Sequence, residues 1–218
     1  MKNCWWSRYS ALLLVCLVAA VSGWAQEAGA RILYTKVFPG SQPAYQQISL
    51  TADGNGVYKE AEDDPNPVEF QLPGKIAAEV FSLAEELQFF GYKLESGLKI
   101  AKMGEKTFRY EGKVTQQQTF NYSNDLTAQK LQQIFEKMAE SQRLFIRLEY
   151  SLKFDRLGIN DALLAIDAAQ RHDRLLGASH FLPLLDQVVN GKRYMNISRN
   201  RADAIARTIR QSDRSGAQ

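Results

Sequence analysis

Residues 126–157 constrain the fold of this chain more than any other stretch. Apolar side chains recur through it at Leu126, Leu131, Ile134, Phe135, Met138, Phe145, Leu148 and Leu152. Steps of three and four residues set most of them on one stripe of an α-helix, wide enough to pack against a sheet and against further helices. Asp125 stands just ahead, where a carboxylate accepts from the free NH groups of a first turn. Between 144 and 154 the apolar residues Leu144, Ile146, Leu148, Tyr150, Leu152 and Phe154 also alternate with polar ones, which is the period of a strand. The helical neighbours on both sides favour helix, with a break allowed near Ser141.

Ahead of this stretch the pattern is strand-rich. Residues 31–38 (RILYTKVF) are β-branched and aromatic and are closed by Pro39 and Gly40. Residues 45–51 and 56–61 flank a turn in which Gly54 and Asn55 tolerate positive φ, so they read as a β-hairpin. An acidic, proline-rich loop over 60–67 leads to a short strand at 68–72. Pro73 then opens a helix with Ile76, Val80, Leu83, Leu87 and Phe90 inward, and Gly91 stops it. Residues 98–103 and 106–111 are expected to pair as a hairpin across Gly104 and Glu105. A last strand over 114–122 sets Val114, Gln116, Gln118, Phe120 and Tyr122 on one face.

Behind the long helix the period is helical throughout. Asn160 is placed to cap a short helix ending at His172, with Leu163, Leu164 and Ile166 inward. Ser179 and Pro183 mark a second helix that buries Phe181, Leu184, Leu185, Val188 and Val189. A final helix over 197–210 carries Ile197, Ile205 and Ile209. The expected fold is α+β: an antiparallel sheet with one packed helix over residues 30–122, then a small all-α bundle over 125–213.

The front of the chain reads as an export signal. Lys2 and Arg8 precede an uncharged run from Tyr9 to Val21, and Gly23 and Ala25 fill the small positions before a cut ahead of Gln26. An uncleaved anchor, or lipid attachment at Cys16, is the alternative. Cleavage of residues 1–25 takes Cys4, Cys16 and all three tryptophans, leaving a cysteine-free mature chain with no disulfide or thiol site. It also takes two of the 27 basic residues, so 25 remain against 24 acidic ones. Near-neutral charge and export together argue against a nucleic-acid partner, and no stable membrane span is expected after cleavage. The expected location is periplasmic or secreted.

Two stretches invite a binding role. Residues 51–62 (TADGNGVYKEAE) partly match a calcium loop, with Asp53, Asn55 and Glu62 as ligands, but Thr51 stands where an aspartate belongs and strands flank the loop. A hairpin turn explains the same residues without an ion. On the last helix Arg199, Arg207, Arg210 and Arg214 fall within about 80° of one another. Such a stripe receives an acidic ligand, or else is a solvated face that offsets the helix dipole.

Gly40, Pro43, Tyr45 and the Asp53-Gly54 turn follow the order Gly-x-x-Pro-x-Tyr, strand, Asp-Gly. Over about residues 31–110 this resembles the opening of a family of small secreted bacterial domains, and the whole chain is similar to exported proteins of soil bacteria. That family carries a cysteine before the proline, where Gln42 stands here. The resemblance implies export and brings no activity with it.

Catalytic chemistry finds little footing. The mature chain has only His172 and His180, with no nucleophile elbow, no His-Glu-x-x-His pair and no phosphate-cradling glycine loop. The expectation is therefore an exported, non-enzymatic interaction or structural protein of the bacterial envelope, without a cofactor, whose partner is another envelope protein or an acidic ligand. A carboxylate-dependent hydrolase acting on envelope glycans or peptides is the alternative, because its two acids need not be near each other in the chain. A calcium-binding module is the third.

Overall fold

The computed structural model describes residues 29–216, with side chains through residue 212. The expected leader, residues 1–25, lies outside them. The element order is β1 (Arg31–Val37), β2 (Tyr45–Thr51), β3 (Asn55–Lys59), β4 (Val68–Gln71), α1 (Gly74–Glu86), β5 (Glu105–Glu111), β6 (Thr115–Phe120), α2 (Leu126–Phe154), α3 (Ile159–Arg171), α4 (Leu182–Asn190) and α5 (Asn196–Gly216). The chain is α+β, sheet first and helices after.

The six strands form one sheet in the order β4-β3-β2-β1-β5-β6, every pair antiparallel. Alternation sends Ile32, Tyr34, Ile48, Leu50, Tyr58, Phe70, Phe108 and Phe120 to one buried face. The other face is polar, with Gln47, Thr35, Thr107 and Thr119 aligned in one row across four strands. The buried face is covered by α1 and by the first half of α2, whose apolar stripe packs against the sheet as its width implied. Phe108 lies at the centre, its ring 5.5 Å from Tyr34, 5.1 Å from Phe90, 5.3 Å from Phe120 and 6.0 Å from Phe135.

Asp125 caps α2 as expected, its Oδ1 accepting from Thr127 N at 2.8 Å and Ala128 N at 3.1 Å. The helix runs 29 residues without a break, so residues 144–154 are helical and Ser141 does not interrupt them. Of the alternating residues, Ile146 packs on the sheet core, Leu144, Leu148 and Leu152 pack on a second core, and Tyr150 and Phe154 are exposed, because α2 changes partners and ends in solvent. Ala128, Leu131, Phe135, Met138 and Ala139 belong to the sheet core, whereas Leu148 and Leu152 belong to that second core with Leu163, Ile166, Phe181, Leu185, Ile205 and Ile209. At the junction the buried Ser141 hydroxyl accepts from Leu176 N at 2.8 Å and donates to Lys137 O at 2.9 Å.

Several expected details are corrected. Residues 98–103 form no strand, because β1 and β6 already occupy both edges of β5; Leu98, Ile100 and Met103 stay exposed along an irregular segment. α1 ends at Glu86 and a separate 3-10 turn, Gln88–Phe90, carries Phe90 into the core. α3 has Gly158 at its cap, and Asn160 instead accepts a hydrogen bond from Arg201. Leu126, Leu164 and Ile197 are exposed, not inward.

Gly56 shows how tightly the β3–β4 pair is built. It faces Phe70 across the pair, and a Cβ there would lie 2.3 Å from the Phe70 ring, which covers the glycine. Gly56→Val is therefore expected to lower the unfolding free energy by about 1–3 kcal/mol, read from the urea midpoint at constant slope.

Candidate binding surface

The residues singled out by spacing do not converge. Asp53 sits in the β2–β3 turn, where the Thr51 hydroxyl and the Asn55 NH hold its carboxyl below the ordinary range. Glu62 lies beyond the other end of β3, on the order of 15 Å of strand away. The structure thus does not bring Glu62 to Asp53, and among the described residues no three His, Cys, Asp or Glu side chains are grouped to hold a metal. Of the arginine stripe, Arg199 Nε donates to Val189 O at 2.9 Å, Arg207 pairs with Asp203 at 2.8 Å, and Arg210 meets both carboxylate oxygens of Asp186 at 2.7 Å. These contacts join α5 to α4 and to itself. The Arg214 side chain lies outside the described ones.

A small cleft of about 130 Å³ opens at the sheet end between the Ser41–Pro43 loop and α2. It holds one carboxylate, Glu136, which accepts from Lys36 at 3.1 Å, Tyr34 at 3.3 Å and Gln132 at 3.0 Å. Burial, with Glu136 beside it, pushes the Tyr34 phenol far above its ordinary value, so it stays protonated and donates. A wider groove of about 570 Å³ follows the seam where α1, the 173–178 linker and α5 meet.

The third region is different in kind. The α2–α3 and α4–α5 connections meet, and there Arg156 Nη2 donates to Arg193 O at 2.7 Å. Large apolar side chains are exposed on the last two turns of α2 and on the segments that meet here: Tyr150 is 59% exposed, Phe154 73%, Leu157 83%, Met195 50% and Ile197 55%. Tyr150 and Phe154, one turn apart on α2, have ring centroids 5.2 Å apart. Between the connections lies a pocket of about 310 Å³ lined by Arg156, Leu157, Ile159, Arg193, Tyr194, Met195 and Ser198. Arg193 lies over the Tyr194 ring and donates to its hydroxyl at 2.7 Å. Ser198 is buried, yet its hydroxyl has no partner among the described residues.

Sequence reasoning did not single out this tip. Phe154 falls within the alternation of residues 144–154, and Ile197 within the apolar spacing of α5. The available signal was a mismatch of phase: on α2, Tyr150 and Phe154 lie about 200° from the buried Leu148 and Leu152.

No family model matches the chain, and no curated protein matches it significantly.

His172 is exposed at the end of α3, whereas His180 lies between Phe145 and Phe181, with ring centroids at 4.6 Å on both sides. Its Nδ1 contacts Gly177 O, and its buried Nε2 has no partner among the described residues. Burial holds its pKa below the ordinary 6.5. The unfolded chain therefore takes up the proton first as pH falls. Stability is expected to be whole above about pH 6.5 and to decline from there toward the folded pKa, by at most about 1.4 kcal/mol per pH unit. Urea titrations between pH 5 and 8 should show this slope in the native chain and a shallower one in His180→Phe.

Proposed function

We propose that this protein is a non-enzymatic interaction module of the bacterial envelope, and that it docks through the apolar tip of its helical half. The observation that carries the reading is the exposure of Tyr150, Phe154, Leu157, Met195 and Ile197 at one end of the bundle. Clustered apolar side chains left in water mark binding surfaces, whereas scattered ones need no explanation. Leu98, Ile100 and Met103 are also exposed, along an irregular segment beside the sheet that, among the described residues, lines no apolar pocket with a buried polar group. Export rests on the order of charged, apolar and small residues over positions 2–25.

A photo-activated cross-linking residue at Leu157 or Met195, introduced in the native host, tests the docking role. Both positions are expected to yield discrete adducts, and Thr107 on the open face of the sheet is expected to yield none. Equal yields at Leu157 and Thr107 would overturn the reading.

A further inference from the structure

We propose that the occupant of the tip is a bilayer surface carrying anionic phospholipid, with a lipid phosphate seated between Arg156 and Arg193 above the Ser198 hydroxyl. This rests on the docking role given above and names its partner.

Three independent features point to a lipid surface. The first is apolar exposure. Leu157 and Met195 edge the pocket between the two connections, while Tyr150, Phe154 and Ile197 stand exposed on the helix ends beside it. Exposed aromatic and aliphatic groups suit the boundary between headgroups and acyl chains, where Tyr150 keeps its hydroxyl wet while Leu157 and Phe154 leave water.

The second is charge. Residues 147–161 and 191–201 hold seven basic side chains, Arg147, Lys153, Arg156, Lys192, Arg193, Arg199 and Arg201, against Glu149, Asp155 and Asp161. Glu149 pairs with Lys153 at 3.0 Å, and Asp155 accepts from Gly158 N at 3.0 Å, so two of the three acids are engaged locally. The end of the bundle is thus net positive although the chain as a whole is near neutral, and such a patch is drawn to an anionic leaflet.

The third is the pocket. A buried hydroxyl without a partner loses its hydration with nothing in return. Ser198 is 1% exposed, lines the pocket, and makes no hydrogen bond to any described residue. Arg156 and Arg193 stand on the same wall system, and each has guanidinium donors beyond the single bonds to Arg193 O and to the Tyr194 hydroxyl. Two guanidinium groups and a hydroxyl donor suit a phosphate, while Leu157 and Met195 at the rim suit the chains attached to it.

The test uses the chain starting at Gln26, since both hydrophobic cores begin at or after Ala30 and the apolar run at the front would itself bind lipid. Co-sedimentation is measured with phosphatidylcholine vesicles, with and without phosphatidylglycerol. Bound fraction is expected to rise at least about tenfold with the anionic lipid and to fall on raising salt. Leu157→Glu, and separately Arg156→Glu with Arg193→Glu, should each lower binding about tenfold or more, whereas Thr107→Glu should leave it unchanged. Circular dichroism confirms that the variants fold. Equal binding to neutral and anionic vesicles, or unchanged binding by Leu157→Glu, overturns the proposal. If vesicles fail but cross-linking at Leu157 returns a protein adduct, the lipid assignment falls and the docking role stands. If cross-linking at Leu157 also fails, both fall.

Discussion

The structure depends on one helix serving two hydrophobic cores. In its first half α2 sets Phe135 against Tyr34, with ring centroids 5.2 Å apart, and against Phe108 beyond. Its second half gives Leu148 and Leu152 to the core of α3, α4 and α5. Neither core closes without it. The sheet would expose the face that α2 covers, and the bundle would lose a wall. Because the backbone hydrogen bonds run unbroken through the junction, packing on one side holds the helix in register for the other.

That junction is fastened by polar contacts, one from within and one at the surface. Ser141 ties α2 to Leu176 N, and Arg174 reaches Glu140 at 2.6 Å, so the linker after α3 is fastened to the middle of the long helix. The fastening turns the bundle back on itself and fixes which helix ends meet. The C-terminal ends of α2 and α4 and the starts of α3 and α5 come together, on the order of 20 Å along α2 from Ala139, the last fully buried residue it gives to the sheet core. The tip is therefore remote from the sheet and held by rigid elements. A surface built this way keeps its shape when free, which lowers the ordering cost of docking.

Much of the fold was legible in the sequence because its signals are local. The β2–β3 hairpin follows from Gly54, which takes φ 89°, the start of α2 from Asp125, and the long helix from its apolar spacing. What misled was chemistry that depends on neighbours. Residues 98–103 look like a strand, but an edge has to be free for them to join, and β5 has none. Asn160 looks like a cap, but it turned instead to Arg201. Ile197 keeps the four-residue spacing of Ile205 and Ile209, yet the core ends before it. The site was hidden for the same reason. An apolar residue on a helix reads as core until the partner that should cover it is known, and at Phe154, Leu157 and Ile197 no described element does so.

Native-state hydrogen exchange along α2 tests the shared-helix account most directly. If one helix couples both cores, the amides of residues 131–139 and 148–152 open in a single cooperative event and their opening free energies agree within about 1 kcal/mol as denaturant rises. If residues 148–152 open several kcal/mol more easily while 131–139 stay protected, the two cores are independent and the account is contradicted.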